Sequence, residues 1–342
     1  MYEPRHIPAS HRLSAWLLSA LFALSLCVQQ AWAAPAERTV IPLGQAVGIK
    51  LFADGVLVVA LADGPTPARA CGLRQGDIIT AMDGAAVGST EQVQDLLADT
   101  AGAPIVLSVR RGADALALTA CARENNGVWQ LGAWIRDSMA GIGTLTYYDP
   151  ATGQYGALGH GITDVDTAQL MPLASGAIME TTVKAVKKGA KGDPGELKGD
   201  FDLTRDSGTL YANTECGIFG KLSAEDAAKI TGAALPIAKK DEVKTGKATI
   251  LATVSGNETR EYDIEIEKIY SPSGSTRNLL LHVTDEELLA QTGGVVQGMS
   301  GSAILQDGKI IGAVTHVLLD DPSRGYGIFI ENMLSAAGLS SE

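Results

Sequence analysis

The chain is short of aromatic rings and of cysteine, and its charge is one-sided. Phe, Trp and Tyr make up 5% of 342 residues, with 5 phenylalanines against 39 glycines. So many glycines with so few large rings favour numerous turns and short strands. The four cysteines, Cys27, Cys71, Cys121 and Cys216, form no Cys-x-x-Cys pair, which excludes a dense disulfide framework and a cysteine-rich zinc site. Those at 71, 121 and 216 read as small buried hydrophobes. Basic residues are outnumbered 27 to 39, for a formal net charge of -12. Binding to phosphates needs a basic footprint, so nucleic acid is excluded as a partner. A glycine-rich phosphate loop is missing too, and so is any long amphipathic helix beyond a short pattern at 223–231.

What is present can fill two domains. Hydrophobic residues make up 46%, enough for real cores, and the length accommodates a leader besides. Arg5 and Arg12 precede an uncharged run at 13–28, which ends before Ala31-Trp32-Ala33. That order is expected of a signal peptide over 1–34, with retention as a membrane anchor as the rival. The run falls short of the ~20 residues a spanning helix needs.

Residues 38–122 form the first expected domain. Residues 56–61 are continuously apolar, as in a buried strand. Gly72-Leu73-Arg74-Gln75-Gly76-Asp77-Ile78-Ile79 follows, then an Asp83-Gly84 turn, a Ser89/Gln92 capping box and an alternating strand at 105–109. This order resembles a PDZ domain of the bacterial exported-protease type. The resemblance places the loop that holds a peptide C-terminus at Val47-Gly48-Ile49-Lys50-Leu51, with Gly48, Ile49 and Leu51 as its peptide-binding residues.

Residues 123–342 read as mostly β. Tyr262 to Glu267 alternate apolar and acidic, and Asp307-Gly308 separates two apolar runs, a strong hairpin signal. Such a pattern suits a β-barrel or a pair of barrels. The lysines at 184, 187, 188 and 191 read as a solvated face. The chemical centre is Gly298-Met299-Ser300-Gly301-Ser302. Its glycines permit a sharp turn that exposes the Ser300 hydroxyl, and the N–H groups of Gly298 and Ser300 would form an oxyanion hole. An α/β-hydrolase elbow would want glycine at 302. Of five histidines, His6 and His11 lie in the leader, and His282 and His316 sit in apolar runs as core histidines do. His160 stands between Gly159 and Gly161, where packing has no use for it, and is the expected general base.

Residues 156–162, 292–302 and 309–331 closely resemble the SpoIVB peptidase family. Ile135-Arg136-Asp137-Ser138, Gly141-Ile142-Gly143-Thr144 and the stretch 312–317 belong to the same resemblance. It implies an α+β PDZ domain followed by a trypsin-like β-barrel serine peptidase domain. Ser300 falls on the family's nucleophile, His160 on its base and Asp285 on its acid; neither cofactor nor metal is implied. Ala303 replaces the family's usual proline. Asp285 stands far closer to Ser300 than to His160, and Thr284-Asp285-Glu286-Glu287 also reads as a helix start, which leaves Asp164 and Asp166 as alternative orienters. The implied activity is that of a sporulation signalling endopeptidase, exported into the space between forespore and mother-cell membranes. Its substrate would be the extracytoplasmic part of a membrane-bound regulator, and cleavage would release an intramembrane protease that processes a late sigma factor. The rival reading is a PDZ-bearing scaffold whose peptidase-like domain is inactive.

Overall fold

The computed structural model describes residues 38–270 and 275–339, so the expected leader lies outside the described residues. The first strand, β1 (Thr39–Pro42), leads into the long β2 (Ala46–Leu61). The PDZ-like elements follow: α1 (Pro67–Cys71), β3 (Ile78–Met82), β4 (Ala85–Ala86), α2 (Thr90–Thr100), β5 (Pro104–Arg111) and β6 (Asp114–Cys121). Pro67 starts α1 where a missing N–H costs nothing, and Gly72, with φ of 86°, ends it in the left-handed region. Ser89 caps α2 by accepting from the Gln92 N–H, while the Gln92 side chain accepts from the Gly88 N–H at 2.8 Å. Met82, Val93, Leu97, Ile105 and Leu107 bury together as the module's own core.

A small hairpin, β7 (Arg123–Asn125) and β8 (Val128–Gln130), returns the chain to β9 (Ala133–Asp149), the longest strand. Then come β10 (Gln154–Ala157), β11 (Leu173–Lys187), β12 (Glu196–Phe201), β13 (Gly208–Thr214) and β14 (Gly217–Leu222). Pairings run β9–β10–β14–β13–β11–β2 and from β2 back to β9, which closes a six-stranded ring. Its interior is Val47, Ile49, Leu145, Tyr155, Ile178 and Ile218 among others. After α3 (Ala224–Ala227) and β15 (Leu235–Pro236) a second ring forms. It is the closed barrel of β16 (Gly246–Ala252), β17 (Arg260–Ile269), β18 (Leu279–Val283), β19 (Ala303–Gln306), β20 (Lys309–Val317) and β21 (Arg324–Phe329). Helix α4 (Glu286–Thr292) precedes β19, and α5 (Ile330–Ala336) ends the described chain. Along β17 the even positions Tyr262, Ile264 and Ile266 are buried and the acidic ones exposed or half-exposed, as the alternation dictates. Asp307 and Gly308, both at positive φ, turn β19 into β20.

The PDZ-like module is inserted into the first barrel rather than placed ahead of it. Residues 46–53 of β2 pair with β9 and β11, while Val56 and Leu57 pair with β3. This corrects the expected carboxylate-binding loop. Gly48 faces Ile142 on one side and Met179 on the other, and Ile49 and Leu51 are likewise paired on both edges. No edge remains there for a peptide to add to, and a Cβ at Gly48 would run into the Phe201 ring.

Candidate active site

The two barrels each deliver one of the expected site residues, His160 and Ser300. Strand β10 of the first barrel ends at Ala157, and the next residues turn sharply: Leu158 and Gly159 both have φ of 68°. A β-carbon at Gly159 would lie 2.9 Å from the Thr315 methyl group, so glycine lets this turn approach the second barrel. His160 follows at the mouth of the turn. Its Nδ1 lies 2.8 Å from the Gly161 carbonyl oxygen. A carbonyl can only accept, so Nδ1 carries the proton and Nε2 keeps its lone pair. Burial pushes the His160 pKa below its usual 6.5, against the upward pull of that hydrogen bond.

Ser300 comes from the turn between α4 and β19 of the second barrel. Gly298 and Gly301 take φ of 98° and 101°, and a Cβ at Gly301 would collide with the Thr144 carbonyl. The turn is tied to β9: the Thr144 N–H donates to the Ser300 carbonyl at 3.0 Å, and the Thr144 hydroxyl to the Gly298 carbonyl at 2.7 Å. Among the described residues the N–H groups of Gly298 and Ser300 have no acceptor, which leaves two donors beside the Ser300 hydroxyl. Two clefts, of about 280 Å³ and 580 Å³, meet here and share His160, Gln297 and Ser300. Residues 139–142 of β9 form a wall of the smaller one. In this state the Ser300 hydroxyl donates to the Thr315 carbonyl at 2.8 Å.

Asp285 does not join them. It is the N-cap of α4, where Oδ1 accepts from the Leu288 N–H at 2.8 Å and Oδ2 from the Asp263 N–H at 3.4 Å. The expectation that it orients the base is therefore corrected in favour of the helix start that its sequence also spelled. Asp164 is fully buried, but its carboxylate is bound by Arg136, Thr167 and the Asp166 N–H. Ser302 is fully buried as well. The residue that sequence reasoning missed is His316. Its ring centroid stands 5.1 Å from that of His160, and it lines the larger cleft with Arg277 and Tyr326. Burial, then His160 and Arg277, lowers its pKa to about 4. The available signal was its place in the stretch 312–317 that carries the family resemblance, but a strand histidine in an apolar run looks the same in a core.

The SpoIVB peptidase S55 family model matches residues 127–334, more than half of the chain, and a PDZ domain model matches residues 59–111. The chain belongs to the SpoIVB peptidase family. It is a serine peptidase that carries a PDZ domain. No curated protein matches it. Among solved structures it is similar to the Rv3671c protease of M. tuberculosis. An inactive mutant form is 14% identical at a TM-score of 0.31, over 59% of this chain and 83% of that one. The active form gives 14% and 0.31 over 59% and 73%. Likeness at that level adds nothing to the strand pairings, which by themselves define the paired barrels of this SpoIVB-family chain. Among its described residues no cluster of three or more His, Cys, Asp or Glu side chains could hold a metal ion.

Proposed function

We propose that Ser300 is the nucleophile and His160 the general base of an exported signalling endopeptidase. The observation that carries this reading is that each barrel sends one of the two residues to the same pair of clefts. Turning the Ser300 hydroxyl from the Thr315 carbonyl towards Nε2 of His160 lets the neutral imidazole take its proton as oxygen attacks a substrate carbonyl. The free N–H groups of Gly298 and Ser300 would hold the resulting oxyanion. The imidazolium then protonates the leaving amine, and water repeats the sequence on the acyl-enzyme. The Gly161 carbonyl takes the orienting place that an aspartate fills in a triad: it fixes the tautomer, without a full negative charge to stabilise the imidazolium. A fluorophosphonate probe tests the assignment. Labelling of the unaltered chain and its loss in Ser300→Ala are expected; labelling that persists in Ser300→Ala would overturn it.

The family supports the finer reading. The enzyme would be carried across the cytoplasmic membrane by its leader into the space between forespore and mother cell. There it would cut the extracytoplasmic part of a membrane-bound regulator and so release an intramembrane protease that processes a late sigma factor. Incubation with such an extracytoplasmic segment should give discrete cleavage that Ser300→Ala lacks. An intact segment beside a probe-reactive enzyme would refute that substrate class.

A further inference from the structure

Strand β9 runs through every part of the catalytic apparatus. Residues 133–136 pair with 57–61 of β2 inside the PDZ-like module, residues 139–142 wall the smaller cleft, and Thr144 holds the nucleophile turn. At the point where β9 leaves the module, two neighbouring residues of opposite charge reach to opposite sides. The Asp137 carboxylate accepts from the Thr90 N–H at 2.7 Å and from the Thr90 hydroxyl at 3.2 Å, which fastens the start of α2 to β9. Burial pushes the Asp137 pKa up, but the bonds from Thr90 and Ser138 outweigh it, and the carboxyl stays below its usual value. Arg136 reaches the other way, to Asp164 and, at 3.0 Å, to Asp166. Both acids belong to the loop that leaves His160. Asp164 is the knot of that loop, accepting from the Asp166 and Thr167 N–H groups and from the Thr167 hydroxyl. The module touches the loop once more, where Gln75 Nε2 donates to the Asp166 carbonyl at 2.9 Å.

We propose that Arg136 and Asp137 are positioning residues for peptide hydrolysis: through them the PDZ module holds the cleft wall at 139–142 and the loop that carries His160. The module is then part of the active-site framework, and its influence reaches short substrates as well as long ones. This rests on the reading of His160 and Ser300 as the reacting pair. Neither positioning residue reaches the reacting atoms, so their effects divide according to what each holds. Asp137 holds the wall along which an extended substrate lies, so its loss falls on KM. Arg136 holds the base's loop, so its loss falls on kcat and on the reactivity of Ser300.

The test measures a short chromogenic peptide, the rate of fluorophosphonate labelling and the melting temperature on the full chain. A hydrogen-bonded charge that loses its partner costs enough to change a rate or a binding constant by roughly tenfold. Asp137→Ala is expected to raise KM for the short peptide by about that factor while labelling stays within about twofold of the unaltered chain. Arg136→Gln is expected to slow labelling and kcat by about tenfold with a smaller change in KM, and Arg136→Lys, which can hold one of the two acids, to recover part of the loss. Should Asp137→Ala fail to fold, Thr90→Val removes only the hydroxyl donor and should give a smaller KM rise in the same direction. Folded Arg136→Gln and Asp137→Ala chains that hydrolyse the short peptide normally, or that lose only melting temperature, would overturn the proposal alone. An unaltered chain that fails to label at Ser300 would overturn the assignment of the reacting pair, and this proposal with it.

Discussion

The two glycine-framed segments, 156–162 and 298–302, reach the same clefts but are held by different means. The Ser300 turn is held mainly through its backbone. Its glycines sit at positive φ, the Gly301 N–H donates to the Val314 carbonyl at 2.8 Å, and Thr144 supplies two further bonds. The His160 segment is also bent by local backbone, but the loop beyond it hangs on Arg136 and Gln75, which belong to β9 and to the PDZ-like module. Both segments thus depend on partners distant in sequence: the Ser300 turn on Thr144 of β9, which bonds its backbone carbonyls, and the loop after His160 on the side chains of Arg136 and Gln75. The two histidines of the cleft differ as well. His160 has a hydrogen bond that sets its tautomer, while the buried Nδ1 of His316 has no partner among the described residues.

The strongest way to break this comparison is to remove either end of it. Ser300→Ala and His160→Ala should each lower turnover by as much as about a million-fold, because nucleophile and base act as one unit. His316→Gln should stay reactive towards a fluorophosphonate. If labelling survived in His160→Ala and vanished in a folded His316→Gln chain, the roles of the two histidines would have to be exchanged.

Next in size is the turn itself. Gly301→Val puts a side chain into the Thr144 carbonyl at a backbone angle that branched residues avoid, so the barrels must part or the turn must unwind. A loss of about 3 kcal/mol in urea unfolding, with Ser300 labelling abolished, is expected. A chain of unchanged stability would show that the turn is less confined than its contacts suggest.

A pH series sharpens the comparison of the histidines. As the proposed general base His160 must be neutral, and its pKa lies below 6.5, so the acid limb of kcat/KM should fall below that value. His316 titrates near 4 when folded and at about 6.5 when unfolded, so between those values the unfolded chain binds the extra proton. Its contribution to stability is therefore complete above about 6.5 and is lost as pH falls towards 4. His316→Gln should flatten that part of the stability curve and leave the limb set by His160 in place. An acid limb at or above 6.5 would contradict the buried state of His160.

The smallest effect separates a cap from a catalyst. Asp285→Ala should lower stability by about 1 kcal/mol, as the loss of an N-cap does, with kcat/KM unchanged. A folded variant that had lost catalysis would restore Asp285 to the reacting set.

Much of the molecule was legible in the chain. The alternation at 262–267, the Asp-Gly turns at 83–84 and 307–308 and the caps at Ser89 and Asp285 all act over a few residues, and each stands where it was expected. Gly159, Gly298 and Gly301 belong to the same class of signal, since a positive φ is a property of one residue and its neighbours. What only the tertiary structure decided is which strands close on which. The run at 47–51 spells a PDZ-like loop, but β9 and β11 occupy both of its edges and make it barrel wall. His316 spells a core histidine until β20 brings it beside His160. Arg136 and Asp137 stand in a stretch that carries the family resemblance, but only β9 places Thr90 on one side of them and Asp164 on the other. Local backbone preferences are written residue by residue, whereas edge occupancy and side-chain encounters depend on closing loops of many residues, and no short window of sequence contains them.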